Sequence, residues 1–267
     1  MSLNIAIAGA TGRMGRALIR AITEADDLTL VAGVERNDAP EIGAKLSTLG
    51  GAQRSAALVH ADVKGAAQDA DIWIDFTIPR ASLAALKALK DAKTRAAIIG
   101  TTGFDAAGEA EIAAAAKRLA IVKSGNFSLG VNMLAALVRE AAKRLGPEWD
   151  IEIVEAHHRR KIDAPSGTAL LLGEAAAEAR NTTLETQRIE PRDGVTGPRP
   201  EGIGFAVVRG GGIVGEHDVI FVAEEEYLKL SHVALDRALF ARGALAAARW
   251  AADKPPGLYS MRDVLGL

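Results

Sequence analysis

The first half of the chain alternates short apolar runs with segments of helical periodicity, and this alternation constrains the fold more than any other feature. Apolar runs that predict buried strands occur at 3–8, 28–34, 72–76, 96–99 and 120–122. Alanine-rich segments that carry Lys, Asp and Glu separate them. Strands alternating with helices are typical of a parallel sheet covered on both faces. The sequence therefore predicts an α/β fold with an N-terminal, Rossmann-like, doubly wound parallel sheet.

A different pattern begins near residue 129 and predicts a second, α+β domain. Its predicted parts are a helix that stops at Gly146-Pro147, a strand at 151–157, a long polar loop at 179–202, strands at about 204–209, 213–223 and 227–233, and a last helix that ends at Pro255-Pro256-Gly257. The short connections Gly210-Gly211-Gly212 and Glu224-Glu225-Glu226 predict antiparallel neighbours. The second domain should thus contain an open, mostly antiparallel sheet.

Composition argues against several classes of function. The formal net charge of -2 at pH 7 disfavours a nucleic-acid-binding protein, which needs a positive field. The absence of cysteine removes disulfides, thiolate nucleophiles and cysteine-ligated zinc, and fits a reducing compartment. No apolar stretch is long enough to span a bilayer, and no targeting segment is visible. We expect a cytoplasmic protein with no membrane and no nucleic-acid partner.

A glycine-rich turn follows the first predicted strand and precedes the first predicted helix. Its residues are Gly9, Ala10, Thr11, Gly12, Arg13, Met14 and Gly15. Glycines in such a turn let the backbone approach a pyrophosphate, whose charge the helix N-terminus stabilises. The spacing G-x-x-G-x-x-G is not the commoner G-x-G-x-x-G, and taken alone the string also fits an ordinary strand–helix turn. In this position we interpret it as a dinucleotide-binding site.

An acidic and a basic residue stand side by side after the second predicted strand. Glu35 lies 20 residues after Gly15, a spacing at which an acid accepts hydrogen bonds from the adenosine ribose. Arg36 could instead pair with a 2′-phosphate, so the two together predict the use of either NADH or NADPH. The alternative is a pair of solvated charges at a strand end.

Two further loops follow predicted strands where a doubly wound sheet holds its cofactor. They are Gly100-Thr101-Thr102-Gly103 and Ser124-Gly125-Asn126-Phe127. Their small residues and hydroxyls suit a carboxamide or a ribose as neighbour, although each would also pass as an ordinary loop.

The segment from Glu155 to Ala169 places two histidines and three cations ahead of a predicted helix. Ser166 is the predicted N-cap, which leaves the N–H groups of Gly167 and Thr168 to hold an anion. These amides, the Thr168 hydroxyl and Lys161 could together hold a carboxylate.

The two histidines, His157 and His158, should point in opposite directions in an extended segment and so have different tasks. A metal site is less favoured, because no His or carboxylate lies at helical ligand spacing and zinc would need more ligands. The run Arg159-Arg160-Lys161 could also be a solvated basic turn.

Together these motifs resemble the dihydrodipicolinate reductase family of the diaminopimelate and lysine pathway. The family signature E-x-H-H-x-x-K-x-D-A-P-S-G-T-A is present without a departure from Glu155 to Ala169. The glycine turn, the loops with Gly100-Thr101-Thr102 and Asn126-Phe127, and Arg209-Gly210 with Val214-Gly215-Glu216-His217 also match, so the resemblance covers essentially the whole chain. One departure is Ser124-Gly125, where many members carry alanine or proline, and it bears on the contacts of that loop.

The resemblance implies a reaction and the residues that perform it. The reaction is the NAD(P)H-dependent reduction of 4-hydroxy-tetrahydrodipicolinate (dihydrodipicolinate), a cyclic dicarboxylate, to tetrahydrodipicolinate. His157 is implied to be the proton donor and Lys161 a second acid, and the implied substrate contacts are His158, Lys161, Gly167 and Thr168. The implied cofactor contacts are Gly9, Ala10, Thr11, Gly12, Arg13, Met14, Glu35, Arg36, Gly100, Thr101, Thr102, Ser124, Gly125, Asn126 and Phe127. No metal is expected.

The resemblance also implies how the chain is organised. A dinucleotide-binding domain at 1–128, to which 237–267 returns, is followed by a substrate-binding and oligomerisation domain at 129–236. It further implies a homotetramer joined largely through the open sheet.

Two other functions fit the sequence less well. Short-chain dehydrogenases share the G-A-T-G-x-x-G string but need Tyr-x-x-x-Lys, whereas Ser231 follows Tyr227 and Asp263 follows Tyr259 at that spacing. A non-catalytic NAD(P) sensor would not need an anion-binding helix start beside two histidines.

Overall fold

The computed structural model of the protein describes residues 2–50 and 55–267. The chain divides into two compact units: unit 1 comprises residues 1–128 and 238–267, and unit 2 comprises residues 129–237. No helix in these described ranges is long and apolar enough to cross a bilayer.

The elements of the described ranges follow in chain order. The strands are β1 (Leu3–Ala8), β2 (Leu28–Val34), β3 (Leu58–His60), β4 (Ile72–Asp75), β5 (Ala96–Ile99), β6 (Ala120–Lys123), β7 (Asp150–His157), β8 (Ile203–Arg209), β9 (Gly215–Val222), β10 (Tyr227–Ala234) and β11 (Gly257–Tyr259). The helices are α1 (Arg13–Thr23), α2 (Leu46–Gly50), α3 (Val63–Ala66), α4 (Pro79–Ala88), α5 (Ala106–Ala115), α6 (Leu129–Arg144), α7 (Gly167–Ala179), α8 (Leu184–Gln187), α9 (Ala238–Ala251) and α10 (Met261–Leu265).

Unit 1 is built on a sheet in the order β11-β6-β5-β4-β1-β2-β3, in which neighbouring strands are parallel. This order confirms the predicted Rossmann-like, doubly wound sheet. The chain builds outward from β1 through β3 in one direction and then from β4 through β6 in the other. Ligands of such sheets bind beyond the carboxyl ends of the strands, where the direction reverses, which is here between β1 and β4.

Apolar side chains cover both faces of this sheet. Because successive residues of a strand point to opposite faces, Ile5 and Ile7 of β1 belong to one buried cluster and Ala6 to another. The first cluster includes Leu18 of α1 and several residues of α9, and the second includes Leu86 of α4. Helices therefore lie on both faces of the sheet, as a doubly wound fold requires.

Two strands of unit 1 carry too little sequence pattern to be predicted. Strands β3 and β11 are each three residues long. The helix that was predicted as the last one is α9, and it ends at Ala251 rather than at the predicted Pro255-Pro256-Gly257; the short helix α10 lies beyond it. After α9 the chain returns to the sheet, where β11 pairs in parallel with β6.

Unit 2 contains a mixed sheet in the order β10-β9-β7-β8. The antiparallel pairing of β9 with β10 agrees with the short acidic connection. The predicted antiparallel pairing of β8 with β9 is wrong, because β8 pairs in parallel with β7, which lies between them. The connection from Arg209 to Gly215 is long enough to pass over one strand, since strands on either side of a third are only about 10 Å apart.

One face of this sheet is covered and the other is open. On the covered face, Ile153 of β7 and Phe221 of β9 pack in a buried cluster with Leu134 of α6 and Leu172 of α7. On the opposite face Val233 is 54% exposed and Tyr227 is 70% exposed, so apolar side chains face outward there.

The predicted long loop is shorter and more ordered than its composition indicated. Helix α7 extends to Ala179 and α8 occupies Leu184–Gln187. Arg199 then fixes the following stretch to β7, with ion pairs to Asp150 and Glu152 and hydrogen bonds to backbone carbonyl groups.

Candidate active site

The predicted cofactor residues gather at one edge of the unit 1 sheet. The glycine turn follows β1, Glu35 and Arg36 follow β2, Gly100–Thr102 follows β5, and Ser124–Phe127 begins at the end of β6. Parallel strands end at the same edge, so all these segments lie beyond the carboxyl ends of the strands.

The glycine turn has the conformation that a close approach to a ligand requires. Gly9 has a φ of 66°, which favours glycine, and a Cβ at Gly15 would lie 2.2 Å from the Gly9 carbonyl oxygen. Gly12 is the N-cap of α1 and has no side chain to cover the helix start. The backbone amides there can therefore face an anion, and the turn fits a pyrophosphate.

Glu35 connects the second strand to this turn. Its Oε1 accepts hydrogen bonds from the Thr11 backbone N–H (2.8 Å) and from the Thr11 hydroxyl (2.7 Å). Its Oε2 receives only a long bond, 3.3 Å, from the Arg36 N–H. The Arg36 side chain is 81% exposed and pairs loosely with Asp38 at 3.5 Å.

Asp75 organises this edge, although no sequence motif pointed to it. Its buried carboxyl Oδ1 accepts hydrogen bonds from the hydroxyls of Thr77 (2.6 Å), Ser82 (3.0 Å) and Thr101 (3.2 Å), and from the Thr77 N–H (3.0 Å). Asp75 thereby fixes Thr101, one of the predicted cofactor contacts. The string Asp75-Phe76-Thr77 at a strand end was the available signal, since Asp side chains often bond the backbone two residues on.

The two loops after β5 and β6 are held from within unit 1. The rings of Phe76 and Phe127 meet edge to face at 5.2 Å. A Cβ at Gly100 would lie 2.0 Å from the Phe76 ring, so glycine leaves the space for that ring. The Ser124 hydroxyl donates to the Asn126 carbonyl oxygen at 2.7 Å, which closes the second loop on itself.

The predicted catalytic segment of unit 2 is centred on a buried carboxylate. The Glu155 side chain is 0% exposed. Its Oε2 accepts from His157 Nδ1 (2.6 Å) and Arg209 Nη1 (2.7 Å), and its Oε1 accepts from Arg209 Nη2 (2.7 Å) and the Ser166 backbone N–H (3.0 Å). Burial raises the pKa of Glu155, but the bonds from Arg209, His157 and Ser166 outweigh it and the pKa is lowered.

His157 presents one nitrogen to Glu155 and the other to a glycine. Because an ionised carboxylate only accepts hydrogen bonds, Nδ1 must carry a proton. A Cβ at Gly215 would lie 3.0 Å from Nε2, so glycine at this position keeps that nitrogen clear of a side chain.

Ser166 caps α7 as predicted and connects it to a third histidine. The Ser166 hydroxyl accepts the Ala169 N–H at 3.1 Å, and it lies 3.0 Å from His217 Nε2. His217 is buried against the edge of the His157 ring, with 5.1 Å between centroids. Burial and the neighbouring His157 lower the pKa of His217 to about 4. Sequence reasoning gave His217 no role beyond the family match.

His158 and Lys161, both predicted to bind substrate, have partners of their own. Arg237 Nη2 lies 2.8 Å from His158 Nε2, which must accept because a guanidinium only donates. Burial and then Arg237 and Arg160 lower the pKa of His158, so the ring is neutral and Nδ1 carries the proton. That Nδ1 has no hydrogen-bond partner among the described residues. Lys161 pairs with Asp163 at 2.8 Å.

Solved structures define the fold class first. The dipicolinate-bound dihydrodipicolinate reductase of Paenisporosarcina sp. TG-14 matches with a TM-score of 0.78 at 23% identity, over 97% of this chain and 98% of that one. The amine dehydrogenase of Mycobacterium smegmatis matches with a TM-score of 0.60 at 14% identity, over 98% and 95%. At such identities the likeness is one of fold alone, a doubly wound parallel sheet together with a second, mixed sheet.

Sequence comparison then narrows the class to one family. Residues 3–127 match the N-terminal and residues 130–265 the C-terminal domain of dihydrodipicolinate reductase. The 4-hydroxy-tetrahydrodipicolinate reductases of Parvibaculum lavamentivorans and Caulobacter vibrioides are each 54% identical over 99% of this chain, and over 98% and 97% of their own lengths. The chain therefore belongs to the dihydrodipicolinate reductase family, NAD(P)H-dependent oxidoreductases of diaminopimelate and lysine biosynthesis.

The lowered pKa of His217 predicts a loss of stability in mild acid. The unfolded chain binds a proton at this residue near pH 6.5 and the folded chain near pH 4, so unfolding is favoured as the pH falls through this window. The difference corresponds to about 3 kcal/mol. Urea unfolding between pH 7 and pH 4 should show a loss larger by about that amount in the wild type than in His217→Gln. Equal losses would contradict the prediction, and His60→Gln in unit 1 controls for removal of an imidazole as such.

Proposed function

We propose that His157 of this reductase donates the proton that completes the reduction of dihydrodipicolinate, the dehydrated form of 4-hydroxy-tetrahydrodipicolinate. The observation that carries the proposal is the shared carboxylate of Glu155, which bonds both His157 and the backbone of Ser166. A proton donor is thereby held beside the start of α7, where an anionic substrate is expected to bind.

The start of α7 is proposed to hold a carboxylate of the substrate. A Cβ at Gly167 would meet no atom within 4 Å, so the helix start is open to a ligand. The N–H groups of Gly167 and Thr168 lie in the first turn, where the helix dipole favours negative charge. His158 Nδ1–H is a further donor in unit 2, because no described residue bonds it.

Lys161 is proposed to contribute a positive charge to the same anion. Its present partner, Asp163, is 54% exposed, so the ion pair is worth about 1 kcal/mol or less. A substrate carboxylate can replace Asp163 at low cost. Lys161 and the start of α7 then stabilise the negative charge that develops during reduction.

Unit 1 is proposed to hold the nicotinamide cofactor through the glycine turn, Glu35, Arg36 and the loops at 100–102 and 124–127. When bound, the cofactor supplies a hydride to C4 of the substrate ring. His157 Nε2 then gives its proton to C3 of the resulting enamine, while Nδ1 keeps the proton that it shares with Glu155. Unit 2 is accordingly the proposed substrate-binding domain.

Replacement of His157 by Gln tests the assignment of the proton donor. We expect kcat to fall by about 10²- to 10⁴-fold, the range for loss of a positioned acid, with little change in the Kd of the cofactor. NADH and NADPH consumption can be followed by absorbance while a coupled synthase forms the substrate from pyruvate and aspartate semialdehyde. His158→Gln is the matched control, and it should raise KM more than it lowers kcat. An unchanged kcat in His157→Gln would refute the role.

Use of both NADH and NADPH is proposed from the geometry of Glu35 and Arg36. Glu35 Oε1 is occupied by Thr11, so a ribose hydroxyl would bond Oε2. The exposed Arg36 guanidinium needs only to leave Asp38 to reach a 2′-phosphate.

Two substitutions beside this site should change the KM for NADPH in opposite directions. Arg36→Ala should raise it severalfold, because a phosphate loses its cation, and Asp38→Asn should lower it, because the cation loses its competitor. Neither should change the KM for NADH by more than about twofold. Steady-state kinetics with the two cofactors provide the measurement. Parallel changes for NADH and NADPH would disprove discrimination at the 2′ position.

The open face of the unit 2 sheet is proposed to join four copies of the chain. Its outward apolar side chains, among them Val208, Tyr227 and Val233, are 49%, 70% and 54% exposed. Exposed apolar side chains on one face of a sheet are typical of a surface that a partner covers. Sedimentation should give the mass of a tetramer, and Val233→Glu should shift it toward smaller species. A monomeric wild type would rule out this assembly.

A further inference from the structure

A single carboxylate contacts both the proposed proton donor and the start of the proposed substrate helix. Glu155 and His157 are two residues apart on β7, so their side chains point to the same face of the sheet. We propose that Glu155 is a positioning residue that fixes which nitrogen of His157 transfers the proton. This inference rests on the proposed role of His157.

The hydrogen bonds around the Glu155 carboxylate allow only one arrangement of donors. Two N–H groups of Arg209, the Ser166 N–H and His157 Nδ1 divide evenly between its two oxygens, all within 3.0 Å. Three of these four donors cannot become acceptors, because they belong to a guanidinium and a backbone amide. The carboxylate therefore stays ionised and accepts from Nδ1, and the neutral ring must leave Nε2 unprotonated.

This tautomer decides where the proton moves. In the protonated ring both nitrogens carry hydrogen, but Nδ1–H is committed to Glu155 at 2.6 Å. Nε2, which faces the bare Gly215, is the nitrogen that Glu155 does not bond. When Nε2 gives its proton to the substrate carbon, the ring becomes neutral with Nδ1–H still bonded. Glu155 gains no proton and serves through orientation and charge.

Glutamine cannot reproduce this arrangement. Its amide has one accepting oxygen and one donating nitrogen, so one side must turn a donor toward Arg209, Ser166 or His157. If the amide nitrogen faces His157, Nδ1 must accept and the proton moves to Nε2. Substitution of Glu155 by Gln therefore exchanges the tautomer of the neutral ring or leaves a buried donor unbonded.

The first test is spectroscopic and independent of turnover. Nitrogen-15 NMR of the histidine side chains in the wild-type protein should show neutral His157 with its proton on Nδ1. A neutral ring protonated at Nε2 in the wild type would overturn the proposal. In Glu155→Gln we expect that the Nδ1 signature is lost, because only the amide orientation that turns its nitrogen toward His157 keeps an acceptor for the buried Ser166 N–H.

The second test is kinetic and uses four variants: two single substitutions, their combination and a control. We expect Glu155→Gln to lower kcat by roughly 10- to 1000-fold. In a His157→Gln background the same change should lower kcat by less than about threefold, because Glu155 acts through His157. The matched control is Glu152→Gln, a carboxylate of the same strand that bonds Arg199, and its kcat should stay within about twofold of the wild type.

The outcomes separate this inference from the proposed function. If His157→Gln leaves kcat unchanged, the proton donor is wrongly assigned. If His157→Gln is impaired while Glu155→Gln keeps wild-type kcat, or if the two effects multiply, only the positioning role is wrong. Should Glu155→Gln not fold, the double variant with Arg209→Gln removes the unpaired guanidinium and provides the same comparison.

Discussion

A buried carboxylate can remain charged only where donors replace the water that it has lost, and Glu155 imposes this requirement on unit 2. Withdrawal of such a charge from water costs several kcal/mol when it is uncompensated. Arg209, His157 and the backbone of Ser166 donate the hydrogen bonds that replace this water, and the same bonds fix the position of each donor. The strand that carries His157, the strand that carries Arg209 and the start of α7 are therefore held by one group. Asp75 has a comparable part in unit 1, with hydroxyls in place of cations.

The sequence predicted those features that depend on local rules. Gly9 was interpreted correctly as part of a turn, because its positive φ favours glycine. Gly15 was assigned to the same turn but lies in the first turn of α1, where its close approach to the Gly9 carbonyl excludes a side chain. Ser166 was predicted as an N-cap from its residue type and from the apolar face that follows it, and its hydroxyl does cap α7. The doubly wound sheet was predicted from the alternation of strand-like and helical patterns along the chain, which is also a local property.

Features that depend on tertiary contacts could not be predicted in this way. The length of the link between β8 and β9 limits how far the chain can travel, but it does not show that β7 lies between these strands. Asp75 was assigned to no site, because its importance depends on hydroxyls up to 26 residues away that reach it only in the folded sheet. Glu155 belongs to a recognisable signature, yet the signature does not reveal that its carboxylate has four donors. The roles of the individual cofactor and substrate residues remain predictions.

The central position of β7 has a consequence for the motions of the site. Its backbone is paired with β8 on one side and with β9 on the other, so His157 stands at the end of a strand with no free edge. Amide hydrogens of such a strand exchange with solvent only when the sheet itself opens, which is a rare and cooperative event. By contrast, His158 and Lys161 lie beyond the strand, in a turn with fewer backbone bonds. We therefore expect slow hydrogen exchange up to His157 and fast exchange directly after it, with the change in mobility falling between two adjacent histidines.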